Sequence, residues 1–216
     1  MADPAVPEQL HYLNPEQLLA RHPEGGVTVL LRHAERFPFE KPEDVIEAGL
    51  TPVGIEQARQ FGVQLGQAYE RVRINSSPIA RCLDTSRLIL EGAEGDSAIP
   101  AHWWLFSPFL RADVGSGSTG VYFSSTVGDE TPPFPDSIYL PQRLEILVRR
   151  LHTPASPGEV YLYVAHDTTV LPLLAYLLGL KKVTIQHMPE YLQGIALVRR
   201  DGRLELDDPD YYLPGS

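Results

Sequence analysis

Basic residues are scarce in this chain of 216 residues: 18 lysines and arginines stand against 28 aspartates and glutamates, a formal net charge of −10. An acidic envelope repels phosphate backbones, which argues against bulk nucleic-acid binding. Any anionic ligand must meet a local basic pocket that outweighs the global field. Cysteine is nearly absent. The single Cys82 excludes an internal disulfide and cysteine-rich zinc modules, and inside a predicted helix it reads as a small packed hydrophobe. Long apolar runs are missing as well: the longest, Val170 to Leu180, falls well short of the ~18 residues of a spanning helix and ends at Lys181 and Lys182. The start MADPAVPEQLHYL has no basic stretch leading into an apolar one, so no secretory signal and no membrane association are read, and a cytoplasmic location is expected. His11, His22, His102, His152 and His187 lack partners at ligand spacing, so no metal site and no cofactor are expected. GSGSTG at 115–120 lacks the strand before it and the lysine after it that a phosphate-cradling loop needs, and reads as a turn.

What is present looks like an ordinary globular α/β chain, with 43% hydrophobic and 21% charged residues and no solenoid repeat. The length suits one domain over 1–216. Short helical spacing near Pro15 to Ala20 is followed by Val27 to Leu31, a continuous apolar run that suits a strand buried on both faces. Thr51 and Pro52 form an N-cap and first helical position, and Ile55, Ala58, Gly62, Leu65 and Tyr69 then recur at spacings of three and four as the buried face of a helix. Arg71 to Ser76 reads as a strand, Ile79 to Glu91 as a helix, and Ser137 to His152 as a helix burying Leu144, Leu147, Val148 and Leu151. Glu159 to Ala165 is a third strand, Thr168 to Leu178 a mostly buried helix, and Gly194 to Arg199 with Arg203 to Leu206 a strand pair turning at Asp201-Gly202. This alternation predicts a three-layer α/β/α sandwich on a mainly parallel central sheet. The stretch 101–136, rich in glycine, serine, threonine, proline and aromatics, reads as an irregular lid or cap inserted in that domain. Its Trp103, Trp104, Phe106, Phe109, Tyr122 and Phe123 either line a substrate pocket or anchor the lid to the core. Arg111 and Asp113 are its candidates for touching substrate.

Two buried strands run into histidine: VTVLL into Arg32-His33 and VYLYVA into His166-Asp167. Ligands of open α/β sheets bind outside the carboxyl ends of the strands, which places both imidazoles at the functional edge. Arg32 and Arg36 flank His33, and Arg81 follows the second strand in SSPIAR at a predicted helix start, where anions bind. Three guanidiniums and two imidazoles on one edge of an acidic protein match a compact, multiply charged anion, best a phosphoryl group. Glu35 fits a place at a helix N-terminus or beside an arginine. In Arg32-His33-Ala34-Glu35-Arg36-Phe37-Pro38, in Ser76-Ser77-Pro78 with Arg81, Cys82 and Thr85, and in His166-Asp167-Thr168-Thr169, the chain resembles the histidine phosphatase superfamily, and more narrowly its histidine acid phosphatase branch. These elements come in family order, with alanine where the branch motif has glycine after the histidine.

That resemblance implies a phosphoglycerate mutase-like fold and a metal-independent phosphatase of acid phosphatase type. It implies His33 as the nucleophile that becomes phosphohistidine; Arg32, Arg36, Arg81 and His166 around the phosphoryl oxygens; and Asp167 as the acid that protonates the leaving oxygen and then the base that activates water. The expected partner is a small phosphomonoester, and the requirement for a protonated Asp167 predicts an acidic to neutral rate optimum. The chain is much shorter than typical acid phosphatases and has no room for their larger helical insertion. Alanine after the nucleophile also occurs in small phosphohistidine phosphatases, so a phosphohistidine or phosphoprotein substrate is an alternative, as is a non-catalytic phosphoryl-binding protein. A phosphoglycerate-type mutase would place its acid on a glutamate after the second-arginine helix, but none occurs between Gly95 and Gly128.

Overall fold

The computed structural model describes residues 8–95, 98–106, 140–152, 156–180, 183 and 185–213. Its centre is a five-stranded sheet in the order β2-β3-β1-β4-β5, with β1 at Val27–Arg32, β2 at Arg71–Ser76, β3 at Glu159–Ala165, β4 at Gly194–Arg200 and β5 at Arg203–Leu206. β1 and β2 both pair with β3 in parallel, in the register Arg32 to Ala165 and Ser76 to Val164. β4 runs antiparallel to β1, and β5 antiparallel to β4. The parallel half of the sheet is thus three strands wide, and the hairpin predicted around Asp201-Gly202 closes the other side. Asp201 and Gly202 both have positive φ there, which is why a β-branched residue is absent from that turn.

The helices form where apolar spacing and capping agree. α1 (Pro15–Arg21) starts in a capping box, in which Asn14 accepts from the Gln17 amide and Gln17 reaches back to that of Asn14. A short α2 (Asp44–Glu47), which carries no periodic apolar signal, leads into α3 (Pro52–Ala68). α3 is capped by the Thr51 hydroxyl, which accepts from the Gly54 amide. α4 spans Ala80–Gly92, α5 Leu140–Arg150, α6 Asp167–Leu177 and α7 Pro209–Tyr212. α3 packs with α4 and α5 with α6, flanking the sheet. A Cβ at Gly62 would run into the Ile89 carbonyl, so glycine there sets how closely α3 and α4 approach.

One expected inward position is corrected. Ile55 is exposed, and the buried face of α3 is instead Gly54, Ala58, Phe61, Gly62 and Leu65. Ile55 belongs to the first turn, whose inner side is taken by Gly54 against the Glu35 backbone, so the periodic stripe begins one residue earlier than its apolar letters suggest. Tyr69, the last residue of that stripe, is buried just past the helix end. Leu144 and Leu147 of α5 and Leu151 just past its end are buried as expected, whereas Val148 is only partly buried.

β3 and β1 are neighbours whose onward connections diverge: β1 leads through α3 past β3 to the edge strand β2, whereas β3 leads through α6 past β1 to β4. Such a point in an open α/β sheet leaves a crevice beyond the carboxyl ends of the strands.

Candidate active site

The crevice is filled by the predicted residues. His33 directly follows β1, and its amide donates to the Ala165 carbonyl at the end of β3 (3.0 Å). His166, next along β3, is the N-cap of α6, and Ser77, just past β2, donates its amide to Val164 (2.9 Å). Three parallel strands thus deliver His33, Ser77 and His166 to one edge, with the two imidazole centroids 5.5 Å apart. Arg81 enters from the first turn of α4. His33, His166 and Arg81 are only 2%, 3% and 3% exposed, so every polar atom they carry must find a partner.

The hydrogen bonds fix the tautomers. His33 Nδ1 lies 2.8 Å from the Ala34 carbonyl, which can only accept, so Nδ1 carries the proton and Nε2 the lone pair. Arg81 Nε donates to that Nε2 (3.1 Å), and Arg81 Nη2 donates to His166 Nδ1 (3.2 Å). His166 Nε2 is therefore protonated and faces the Ser77 hydroxyl at 3.0 Å. The third arginine nitrogen, Nη1, donates to the Val45 carbonyl beside α2 (2.8 Å). The Ala34 amide donates to Thr85 Oγ1 (3.1 Å), whose hydroxyl donates to the Arg81 carbonyl (2.7 Å), closing a ring of contacts from nucleophile loop to helix α4 and back.

Burial holds both imidazoles well below the ordinary histidine range. For His33 the neighbouring His166 and the Arg81 charge add to this, and for His166 the charges of Arg81, Arg32 and Arg36 do. The sign of the pH effect on stability follows. An unfolded histidine takes up a proton near pH ~6.5, while the folded rings stay neutral to well below it. As pH falls below that value the unfolded chain binds protons the folded chain does not, and stability drops by up to ~1.4 kcal/mol per pH unit for each ring until the folded pKa is passed. Urea midpoints measured between about pH 7.5 and about pH 5.5 are expected to fall less steeply in His166→Gln than in the wild type; identical slopes would contradict the buried neutral ring.

The remaining predicted residues lie around this centre. Arg32 Nη2 forms an ion pair with Asp167 Oδ2 (2.9 Å), and its Nη1 donates to the Pro189 carbonyl (2.8 Å). Among the described residues its buried Nε has no hydrogen-bond partner. Asp167 begins α6, and its Oδ1 accepts from the Thr168 amide (2.7 Å), so both carboxylate oxygens are engaged. Arg36 stands further out. Nη1 donates to the Phe37 carbonyl (2.8 Å), its guanidinium lies over the Phe39 ring at 3.3 Å, and its charge is felt at His166 and Arg81 without a hydrogen bond to either. Glu35 turns away from the arginines: its Oε1 accepts from Thr51 Oγ1 (2.7 Å), tying the nucleophile loop to the start of α3. Cys82 is fully buried against His166, and burial pushes its thiol up to about 12, in keeping with a packing role. Arg111 and Asp113, with Phe109, Tyr122 and Phe123, lie outside the described residues, as does most of the expected lid. Among the described residues, no cluster of histidine, cysteine, aspartate or glutamate has a metal-holding arrangement, and no helix is long and apolar enough to cross a membrane.

The open choice for the lid aromatics resolves differently for different rings. Trp104 stacks on His102 (5.0 Å) and leans on Tyr163 (5.9 Å), anchoring this segment to the sheet, whereas Phe106 meets His166 edge-on at 5.4 Å. Sequence reasoning missed Tyr191, whose ring lies under the Arg32 guanidinium at 4.1 Å and 5.8 Å from His33, and Phe39, between Arg36 and Arg81. Neither carries a signal of its own. Ser77 stood within the quoted SSP run, but its contact with His166 depends on the β2–β3 register.

A family model described as "Histidine phosphatase superfamily (branch 1)" matches residues 28–102, which span β1 to the segment after α4. Among curated proteins, no sequence matches the chain. Similar solved structures include a phosphoserine phosphatase from Entamoeba histolytica in complex with 3-phosphoglyceric acid (17% identity, 84% of this chain and 95% of that one, TM-score 0.59). A mycobacterial glucosyl-3-phosphoglycerate phosphatase (16%, 84% and 96%, TM-score 0.58) and a phosphoglycerate mutase from Bacillus anthracis (16%, 88% and 96%, TM-score 0.54) are similar to the same extent. The chain resembles the histidine phosphatase superfamily in sequence through branch 1, and its α/β fold is that of the phosphoglycerate mutase-like structures. The narrower likeness to the acid phosphatase branch rests on the 32–38 motif and on His166-Asp167.

Proposed function

We propose that the protein is a phosphomonoesterase that works through a covalent phosphohistidine on His33. The single observation that carries this reading is the arrangement of His33, whose Nδ1–H is spent on the Ala34 carbonyl while its Nε2 lone pair faces the Arg81 guanidinium. A phosphoryl group bound there displaces Arg81 Nε from Nε2 and takes the N–H donors of Arg81, with Arg32 and Arg36 supplying further charge and His166 completing the cradle. Nε2 attacks phosphorus, the P–N bond forms as the ester P–O bond breaks, and the departing oxygen takes a proton from Asp167. Water then attacks phosphorus, giving its proton to Asp167, and the P–N electrons return to Nε2. Alignment and fixed positive charge are what a loose phosphoryl transition state asks of a protein, and no metal is required by this scheme. Asp167 Oδ1 accepts from the Thr168 amide and Oδ2 is ion-paired with Arg32, so its acid role needs Arg32 to pass from the carboxylate to the phosphoryl oxygens as substrate enters.

Burial and nearby cations keep His33 unprotonated, so the nucleophile survives as pH is lowered and activity on the acid side is set by other groups. The test is turnover of p-nitrophenyl phosphate and of an alkyl phosphate with EDTA present. In Asp167→Asn, kcat/KM, which reports the first chemical step, is expected to fall by about a hundredfold or more for the alkyl ester and by at least about tenfold less for the nitrophenyl ester, whose leaving group needs no proton. Equal losses on both esters would remove Asp167 as the donor.

A further inference from the structure

Aromatic rings from three separate segments stand next to the groups of the site. Tyr191 sits 5.8 Å from the His33 ring, Phe106 5.4 Å from the His166 ring, and Phe39 5.5 Å from the Arg81 guanidinium, so each is one contact beyond the groups that would hold a phosphoryl. Trp103 extends the Phe106 side edge-on at 5.9 Å and is 70% exposed; Phe39 is 41% exposed even with a guanidinium over one face. Ring surface left in water around a buried polar pocket forgoes roughly 25 cal/mol for each Å² it could bury, and such surface beside convergent polar groups marks a ligand wall.

Three polar side chains near that wall are spent on holding their own segments. Asp44 Oδ2 accepts from the Glu40 and Lys41 amides (2.8 and 3.0 Å), which holds the turn that presents Phe39. Gln193 Oε1 accepts from the Glu190 amide (3.0 Å) in the turn that presents Tyr191. Glu35 is taken by Thr51. A sugar or polyol phosphate needs carboxylates and amides free at this distance from phosphorus, whereas Asp44 Oδ2, Gln193 Oε1 and Glu35 Oε1 are committed to holding their own segments.

We infer that the substrate is a small phosphate monoester with an aromatic ring carried one to three bonds beyond the ester oxygen, the ring packing among Phe39, Phe106, Trp103 and Tyr191. This deepens the phosphatase reading and rests on it. Offset or edge-on ring contacts of this kind, together with the buried area, favour the aryl-bearing ester over an aliphatic one of equal reactivity. The experiment compares kcat/KM for 2-phenylethyl phosphate, n-propyl phosphate and glycerol 3-phosphate, all primary alkyl esters, so that leaving-group chemistry does not decide the result. The phenylethyl ester is expected to exceed the other two by about tenfold or more, mostly through KM. In the Trp103→Ala/Phe106→Ala double variant the ratio of phenylethyl to propyl kcat/KM is expected to fall towards unity. Equal kcat/KM for the three esters in the wild type, or a ratio unchanged in the double variant, would overturn the inference while leaving the phosphatase reading standing. Failure to hydrolyse any of them, with p-nitrophenyl phosphate also untouched, would overturn both.

Discussion

His33→Ala is expected to abolish p-nitrophenyl phosphate turnover, with kcat reduced by at least about a thousandfold, while the variant remains folded. The expectation follows from what the ring does at each end. Nδ1 anchors it to the Ala34 carbonyl, and Nε2 is the lone pair of this ring turned into the crevice. Alanine removes the attacking atom but leaves Arg32, Arg36 and Arg81 in place, so phosphate binding persists while chemistry stops. The split between retained binding of inorganic phosphate and lost turnover separates loss of a nucleophile from loss of the pocket. Wild-type rates in His33→Ala would end the mechanism.

Arg81→Ala is expected to have the second-largest effect, lowering kcat/KM by about a hundred- to a thousandfold. Arg81 donates to both imidazoles and to the Val45 carbonyl, so it orients His33 and His166 together and supplies the innermost positive charge. Removing it leaves two buried ring nitrogens without donors, at a stability cost of about 1–3 kcal/mol. Lysine is expected not to restore activity, because one ammonium on a flexible stem cannot reach both rings and a carbonyl in fixed directions. Arg81→Lys with near wild-type kcat/KM would show that the fork geometry is unimportant. Arg36→Ala, on the rim and without a contact to either imidazole, is the internal comparison and is expected to lose less.

Much of the architecture was legible because local signals and the fold agree. The unbroken apolar runs of β1 and β3 read as strands buried on both faces, Thr51-Pro52 marked the start of α3, and Asp201-Gly202 marked the hairpin. The site was legible where chemistry sits directly at the end of a patterned element: His33 after β1, His166 after β3 and Arg81 at the start of α4. What could not be read depends on distant segments meeting. Tyr191 lies 158 positions beyond His33 in a turn with no periodicity, and its place under Arg32 follows from β4 pairing antiparallel with β1. Phe39 owes its position to a turn held by Asp44, an interaction between a side chain and two backbone amides that leaves no apolar pattern. Ile55 was misplaced because a helix's first turn can have its inner side occupied by another backbone, here that of Glu35 against Gly54. The pairing of Glu35 with Thr51, rather than with an arginine, likewise depends on how the nucleophile loop docks on α3.

The covalent step is open to direct observation. Asp167→Asn lacks both the acid and the base but still meets an ester whose leaving group departs unaided, so p-nitrophenyl phosphate should load the enzyme faster than water unloads it. Quenching that variant in alkali during turnover, digesting it and locating the modification by mass spectrometry is expected to find one phosphoryl group on the peptide containing His33, stable in base and lost in acid. A modification on any other residue, or none while nitrophenol is being released, would contradict the account.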